Sequence, residues 1–76
     1  MRSIEEIVSE ILDKAGVSLV EFRGHRQSLR LREVRAAAML KVWAERPDLS
    51  SGEIARYFNR EGSTVRHVLS KAGVMA

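Results

Sequence analysis

Apolar residues open the chain at Ile4, Ile7, Val8, Ile11 and Leu12, with Glu5, Glu6, Glu10 and Asp13 between them. This i, i+3, i+4, i+7, i+8 spacing collects one apolar stripe on a 3.6-residue period, which predicts an amphipathic helix. Ser3-Ile4-Glu5-Glu6 has the spacing of a capping box. Gly16, just after Lys14 and Ala15, supplies a left-handed stop, so the helix is bounded at about residues 4–15. Ser18-Leu19-Val20-Glu21 repeats the capping spacing and predicts a short helical turn, with Leu19, Val20 and Phe22 as core contacts.

Periodicity lapses from Arg23 to Arg30, and that segment reads as a basic loop. A long helix follows from about Leu31 to Arg46, rich in alanine through Ala36-Ala37-Ala38 and closed by Pro47. Its middle is apolar nearly all round, the pattern of the central helix of a bundle, with Met39 and Trp43 in the core. Ser50-Ser51-Gly52-Glu53 gives a third capping spacing, ahead of a short helix carrying Ile54, Ala55, Tyr57 and Phe58 and ending near Asn59. Ser63 is expected to cap a last helix over residues 63–72, with Val65, Val68, Leu69 and Ala72 buried and Gly73 as its stop. The pattern implies one all-α domain over residues 1–76: a small helical bundle of four main helices and one short turn, ending in a helix-turn-helix.

Length and composition narrow the chemistry. A chain of 76 residues encloses one small core and buries only about 60% of its unfolded surface, which leaves little volume for a deep catalytic pocket. The chain has no cysteine, so no disulfide and no thiolate metal site supports the core. Two separated histidines and no convergent carboxylate pair make up no nucleophile-base or metal-binding set, so neither an enzyme nor a cofactor or metal is expected. No apolar run approaches the roughly 20 residues of a membrane span, and the acidic start is unlike a secretion signal. A cytoplasmic protein without membrane contact is the expectation.

Charge is divided along the chain. Residues 1–22 hold Arg2 and Lys14 against five acids, a net −3, whereas residues 23–76 hold eleven Lys and Arg against five acids, a net +6. A positive field confined to the later part of the chain suits a polyanionic partner, and double-stranded DNA is the expected one. Residues 51–72 have the proportions of a helix-turn-helix, with the small Ala55 where two helices cross and Asn59 where a positive φ is needed. The outward side of the last helix carries Ser63, Thr64, Arg66, His67, Ser70 and Lys71 without an acid. Arg can donate twice to guanine in the major groove, and hydroxyls or imidazole can meet other base edges. Arg23, Arg26, Arg30, Arg32 and Arg35 form a second basic element, suited to phosphates or the adjacent minor groove. The acidic first helix, with Glu5, Glu6, Glu10 and Asp13, offers a different surface, for a further domain or a protein partner.

Three segments carry a resemblance: Arg35-Ala36-Ala37-Ala38-Met39-Leu40, Leu49-Ser50-Ser51-Gly52-Glu53-Ile54-Ala55, and Phe58-Asn59-Arg60-Glu61-Gly62-Ser63-Thr64-Val65. In that order they resemble the C-terminal DNA-binding domain of the bacterial replication initiator DnaA, and the likeness covers almost the whole chain. Similar domains end some transposases of repeated palindromic elements and also occur as orphan proteins. The resemblance implies a Trp-repressor-like helix-turn-helix domain that reads duplex DNA with its last helix and places a basic-loop arginine in the minor groove. It further implies that Arg35 contacts phosphate, that Arg60 holds the DNA backbone near the turn, and that Ser63 and Thr64 face bases. This chain departs from the family's signature in a turn one residue shorter, in Gly62 where the family has a base-contacting histidine, and in Gln27 near the position of the loop's minor-groove arginine.

Overall fold

The computed structural model describes residues 2–24 and 28–74, apart from the side chain of Arg23. Five helices follow in order: α1 (Ile4–Ala15), α2 (Leu19–Arg23), α3 (Leu29–Glu45), α4 (Ser51–Tyr57) and α5 (Gly62–Lys71). The described residues are thus an all-α bundle, as the periodicity implies. Among them no helix is long and apolar enough to cross a membrane.

Local chemistry sets the helix ends. Ser3 and Ser50 each accept a hydrogen bond from the backbone N–H of Glu6 and Glu53, and those glutamates accept in return from the capping backbone, so both boxes are complete. Ser18 accepts from the N–H of Glu21 in the same way. At the other end of α1, Gly16 turns left-handed at φ 68°, and the Val17 N–H reaches back to the Leu12 carbonyl at 3.1 Å.

Helix α3 begins two residues earlier than its periodicity suggests. Ser28 accepts from the Leu31 N–H and starts the helix at Leu29, so Arg30 belongs to its first turn and not to a loop. At about 1.5 Å per residue its 17 residues run about 25 Å, most of the longest dimension of the molecule, 30 Å. It packs against α1 and α5, and also against α4 and α2. Ala38, Met39 and Val42 of α3 meet Ile7, Val8 and Leu12 of α1, Ile54, Ala55 and Phe58 of the α4 segment, and Val65 and Leu69 of α5 in one core. Each large apolar side chain buried there contributes about 1.5–3 kcal/mol.

Three expectations about the core are corrected. Leu19 and Val20 lie outside it, 48% and 84% exposed, because α2 is a single short turn and Phe22 takes its one inward position. Phe22 meets Phe58 edge-on at a ring separation of 5.4 Å, which ties α2 to the end of α4. Trp43 is half-buried against the core, since α3 leaves that side partly uncovered. On α5, Val68 is half-buried and Ala72 exposed, so the buried stripe narrows to Val65 and Leu69.

The N-terminal segment is clamped by charge. Arg2 pairs with both Glu10 of α1 and Glu45 at the end of α3, its Nε donating to Glu45 Oε1 at 3.0 Å. Arg46 donates to the Arg2 carbonyl at 3.0 Å and pairs with Asp48 through both arms of its guanidinium. The hydrogen bonds from Arg2 hold the Glu10 and Glu45 carboxyls below the usual carboxylate range. Because the folded-state values are depressed, the stabilisation is present above the unfolded glutamate value of about 4.3 and is lost as pH falls through the folded values. Urea unfolding as a function of pH should therefore show stability declining below about pH 4.3, and Arg2→Ala should flatten that decline while leaving the helical content unchanged.

Helix α4 ends in a device of the same kind as α1. Asn59 is left-handed at φ 56°, its N–H bonds to the Arg56 carbonyl, and the Arg60 N–H reaches back to the Ala55 carbonyl at 2.9 Å. A β-branched side chain resists this conformation. Asn59→Val should cost about 1–2 kcal/mol in urea unfolding, and Asn59→Gly should be neutral or stabilising.

Candidate functional site

The turn at Asn59 sends the chain from α4 into α5, and so decides which side of α5 faces away from the core. The two helices pack closely because their partners are small. Ala55 is buried at the crossing, and a Cβ placed on Gly62 would come within 3.8 Å of the Gly52 Cα. The expected cap at Ser63 is not made. Helix α5 starts at Gly62, after Glu61, which makes no side-chain capping bond, and Ser63 stands exposed in the first turn. Only Phe58 to Glu61 lie between the two helices, so the helix begins before the hydroxyl.

With Val65 and Leu69 turned inward, Ser63, Thr64, Arg66, His67, Ser70 and Lys71 are all exposed. They divide between two edges. Thr64 and His67 line a groove of about 330 Å³ between α5 and α3, together with Arg32, Arg35, Ala36, Met39, Val68 and, from the turn, Arg60. Arg66 lies at the opposite edge, where its guanidinium comes within 3.4 Å of the position a Gly62 Cβ would take, beside the start of α4. Lys71 joins Arg32, Glu33 and His67 in a continuation of the groove that also includes Leu29 and Leu40.

Arg35 is the unusual member. It is 6% exposed, the one charged residue buried with the core among the described residues, and its Nη2 has no hydrogen-bond partner there. Burial, and then the neighbouring charges of Arg60 and Arg32, push its pKa down from the ordinary arginine value. A guanidinium stays protonated at neutral pH regardless, so a cation is held at the wall of the groove beside two further cations, Arg60 and Arg32. An unsatisfied buried donor is costly to folding unless something outside the chain satisfies it.

The expected basic loop is separated into parts. Arg32 and Arg35 are one helical turn apart on α3 and share the groove wall. Arg30 turns elsewhere: it donates to the carbonyl of Ala15 and so caps the C-terminus of α1. Arg26 and Gln27 lie outside the described residues, as does the side chain of Arg23. Arg60 is half-buried and donates to its neighbour's carbonyl, Asn59 O, at 3.2 Å. Sequence reasoning named Arg32 only as part of a basic run. Its i, i+3 relation to Arg35 is the signal that joins them on one face.

Compared with family models, curated proteins and solved structures, the chain matches none. The site therefore rests on its own geometry.

An uncompensated buried cation predicts a trade-off. Arg35→Met, which keeps the length of the stem and removes the charge, should raise Tm by several degrees, corresponding to about 1 kcal/mol or more. Thermal unfolding followed by circular dichroism checks this, and a lower Tm would mean that the guanidinium is satisfied within the fold.

Proposed function

We propose that this chain is a double-stranded DNA-binding domain that lays α5 in the major groove and grips the flanking phosphates through the groove between α3 and α5. The observation that carries the reading is Arg35, a buried guanidinium with a free donor, beside Arg32 and Arg60 in a groove with no acid among its described lining residues. A phosphate oxygen is the ligand such a donor lacks, since it brings charge and a hydrogen-bond acceptor together. Thr64 and His67 line the same groove, and the first turns of such a helix are the part that enters the major groove. Arg66, Ser63 and Ser70 complete the exposed arc. The amides at the start of α5, uncapped by Glu61, favour a second phosphate.

The resemblance to the DnaA domain supports the same assignment, with Arg35 and Arg60 on the backbone and Ser63 and Thr64 toward bases. Gly62 presents no side chain where that family reads a base, so the target sequence follows from Ser63, Thr64, Arg66 and His67. In this reading the chain is not an enzyme, needs no cofactor and works in the cytoplasm. Arg23 and Arg26 are left to the adjacent minor groove. Arg30, engaged with α1, is the weakest candidate among the basic residues.

Binding to duplex DNA should depend steeply on salt. With Arg32, Arg35, Arg60 and Lys71 on phosphates, log affinity should fall against log salt with a slope of about −3 to −4. Arg35→Met should weaken all duplexes alike and reduce that slope by about 1, whereas Arg66→Ala should also relax the preference recovered from a random duplex library, by about 1–3 kcal/mol at one position. Fluorescence anisotropy across salt concentrations measures both. No retention of duplex at low salt would end the reading.

A further inference from the structure

A second concavity, of about 340 Å³, lies away from α5, lined by Glu5, Val8, Ser9 and Leu12 of α1, Leu19 of α2 and Tyr57 of α4. Val8 and Leu12 form its buried floor, and Leu19, 48% exposed, stands in its wall. Val20, next to Leu19 on α2, is 84% exposed. Two large aliphatic side chains projecting from one short helix contribute nothing to the core and cost solubility, whereas singly scattered ones would be unremarkable.

The rim of this concavity is acidic. Glu5 belongs both to its wall and to a shallow surface that continues over Glu6, Ser9, Glu10 and Asp13. Arg2, the cation of that surface, is already held by Glu10 and Glu45. Glu5, Glu6 and Asp13 make no ion pair among the described residues. An apolar floor within a negative rim rejects nucleic acid and anionic lipid and selects a segment that is apolar on one side and basic on the other. The walls are helices whose backbone groups are internally bonded, so an incoming segment gains no strand-type hydrogen bonds and has to satisfy its own backbone. A helix does so.

We propose that the α1–α2 face is a docking site for a basic amphipathic helix of another protein or domain, its apolar ridge seated on Val8, Leu12 and Leu19 and its Lys or Arg residues against Glu5, Glu6 and Asp13. This is the helix-in-groove mode, with anchors spaced i, i+3 or i+4, and i+7. The lining of this site shares no residue with the groove between α3 and α5.

The test uses the 76-residue chain as bait for a displayed library of random peptides about 16 residues long, enough for a helix of about 24 Å. Enriched peptides should carry Lys or Arg on one helical face and Leu, Ile or Phe on the other. A synthetic copy should shift the amide resonances of Val8, Ser9, Leu12, Leu19 and Tyr57. Leu19→Ser, at an exposed position, should weaken that peptide by about tenfold, Val20→Ser, outside the lining, should leave its affinity within about twofold, and Glu5→Lys should reduce its salt dependence. Affinity for duplex DNA should stay within about twofold in all three variants, so the two surfaces are judged on separate readouts. The proposal is overturned if no basic amphipathic peptide is enriched or if the enriched peptides bind Leu19→Ser as well as the parent. A concentration-dependent dimer that Leu19→Ser abolishes also overturns it, since the occupant would then be a second copy of the chain.

Discussion

Ala38, Met39 and Val42 of α3 are almost wholly removed from solvent, and this requires cover on more than one side of a single helix. In a chain this short the cover has to come from every other element, so α1, α4 and α5 are each positioned by their need to bury an apolar stripe against α3. The same enclosure explains Arg35. It lies one turn before Ala38 and Met39 on the covered side of α3, and the fold that seals those residues draws the guanidinium inward with them. A charged side chain is thereby fixed in one place, with its stem packed and its donor at the wall of the groove. Such pre-organisation is costly to folding and useful to binding, because little is left to order when a phosphate arrives.

Charge is handled in opposite ways at the two faces. Around α1 the acids are partly neutralised within the chain, by Arg2 on Glu10 and Glu45 and by Lys14 on Glu10. These pairs are solvent-exposed and individually weak, so they serve more to anchor the N-terminal segment than to support the core. Beside α5 the charged neighbours of Arg35 are Arg32 and Arg60, whose repulsion persists in the folded chain, while Glu33 lies farther along with Arg32 and Lys71. A partner of opposite charge relieves that repulsion. The division of the sequence into an acidic first part and a basic remainder thus becomes, in three dimensions, a division between the acidic face of α1 and the basic groove that α3 forms with α5.

Legibility varied with the range of the interaction responsible. The capping serines at 3, 18 and 50 and the left-handed Gly16 and Asn59 act within a few residues, and each was visible in the sequence. Ser28 was overlooked because no glutamate follows at the capping-box position, yet its hydroxyl alone starts α3 and converts Arg30 from a loop residue into a cap for α1. Ser63 misled for the complementary reason. A hydroxyl at the head of an apolar stripe is a good cap, but the Asn59 turn and the close approach of Gly62 to Gly52 bring the chain into helical register earlier. Hydrophobicity does not separate Leu19 and Val20 from Phe22, but one turn of helix has room for a single inward residue, and it is Phe22.

The sequence by itself determined the helices, most of their ends, the polar arc of α5 and the segregation of charge, because periodicity, capping and composition are properties of neighbouring residues. Tertiary packing alone decided that Arg32, Arg35, Arg60, Thr64 and His67 share one groove, that Arg66 stands at the other edge, and that the Arg35 Nη2 is buried without a hydrogen-bond partner among the described residues. Those relations depend on how α5 crosses α3, a distance of some thirty positions along the chain. No local pattern encodes such a crossing. It follows from which residues the whole core has room to bury.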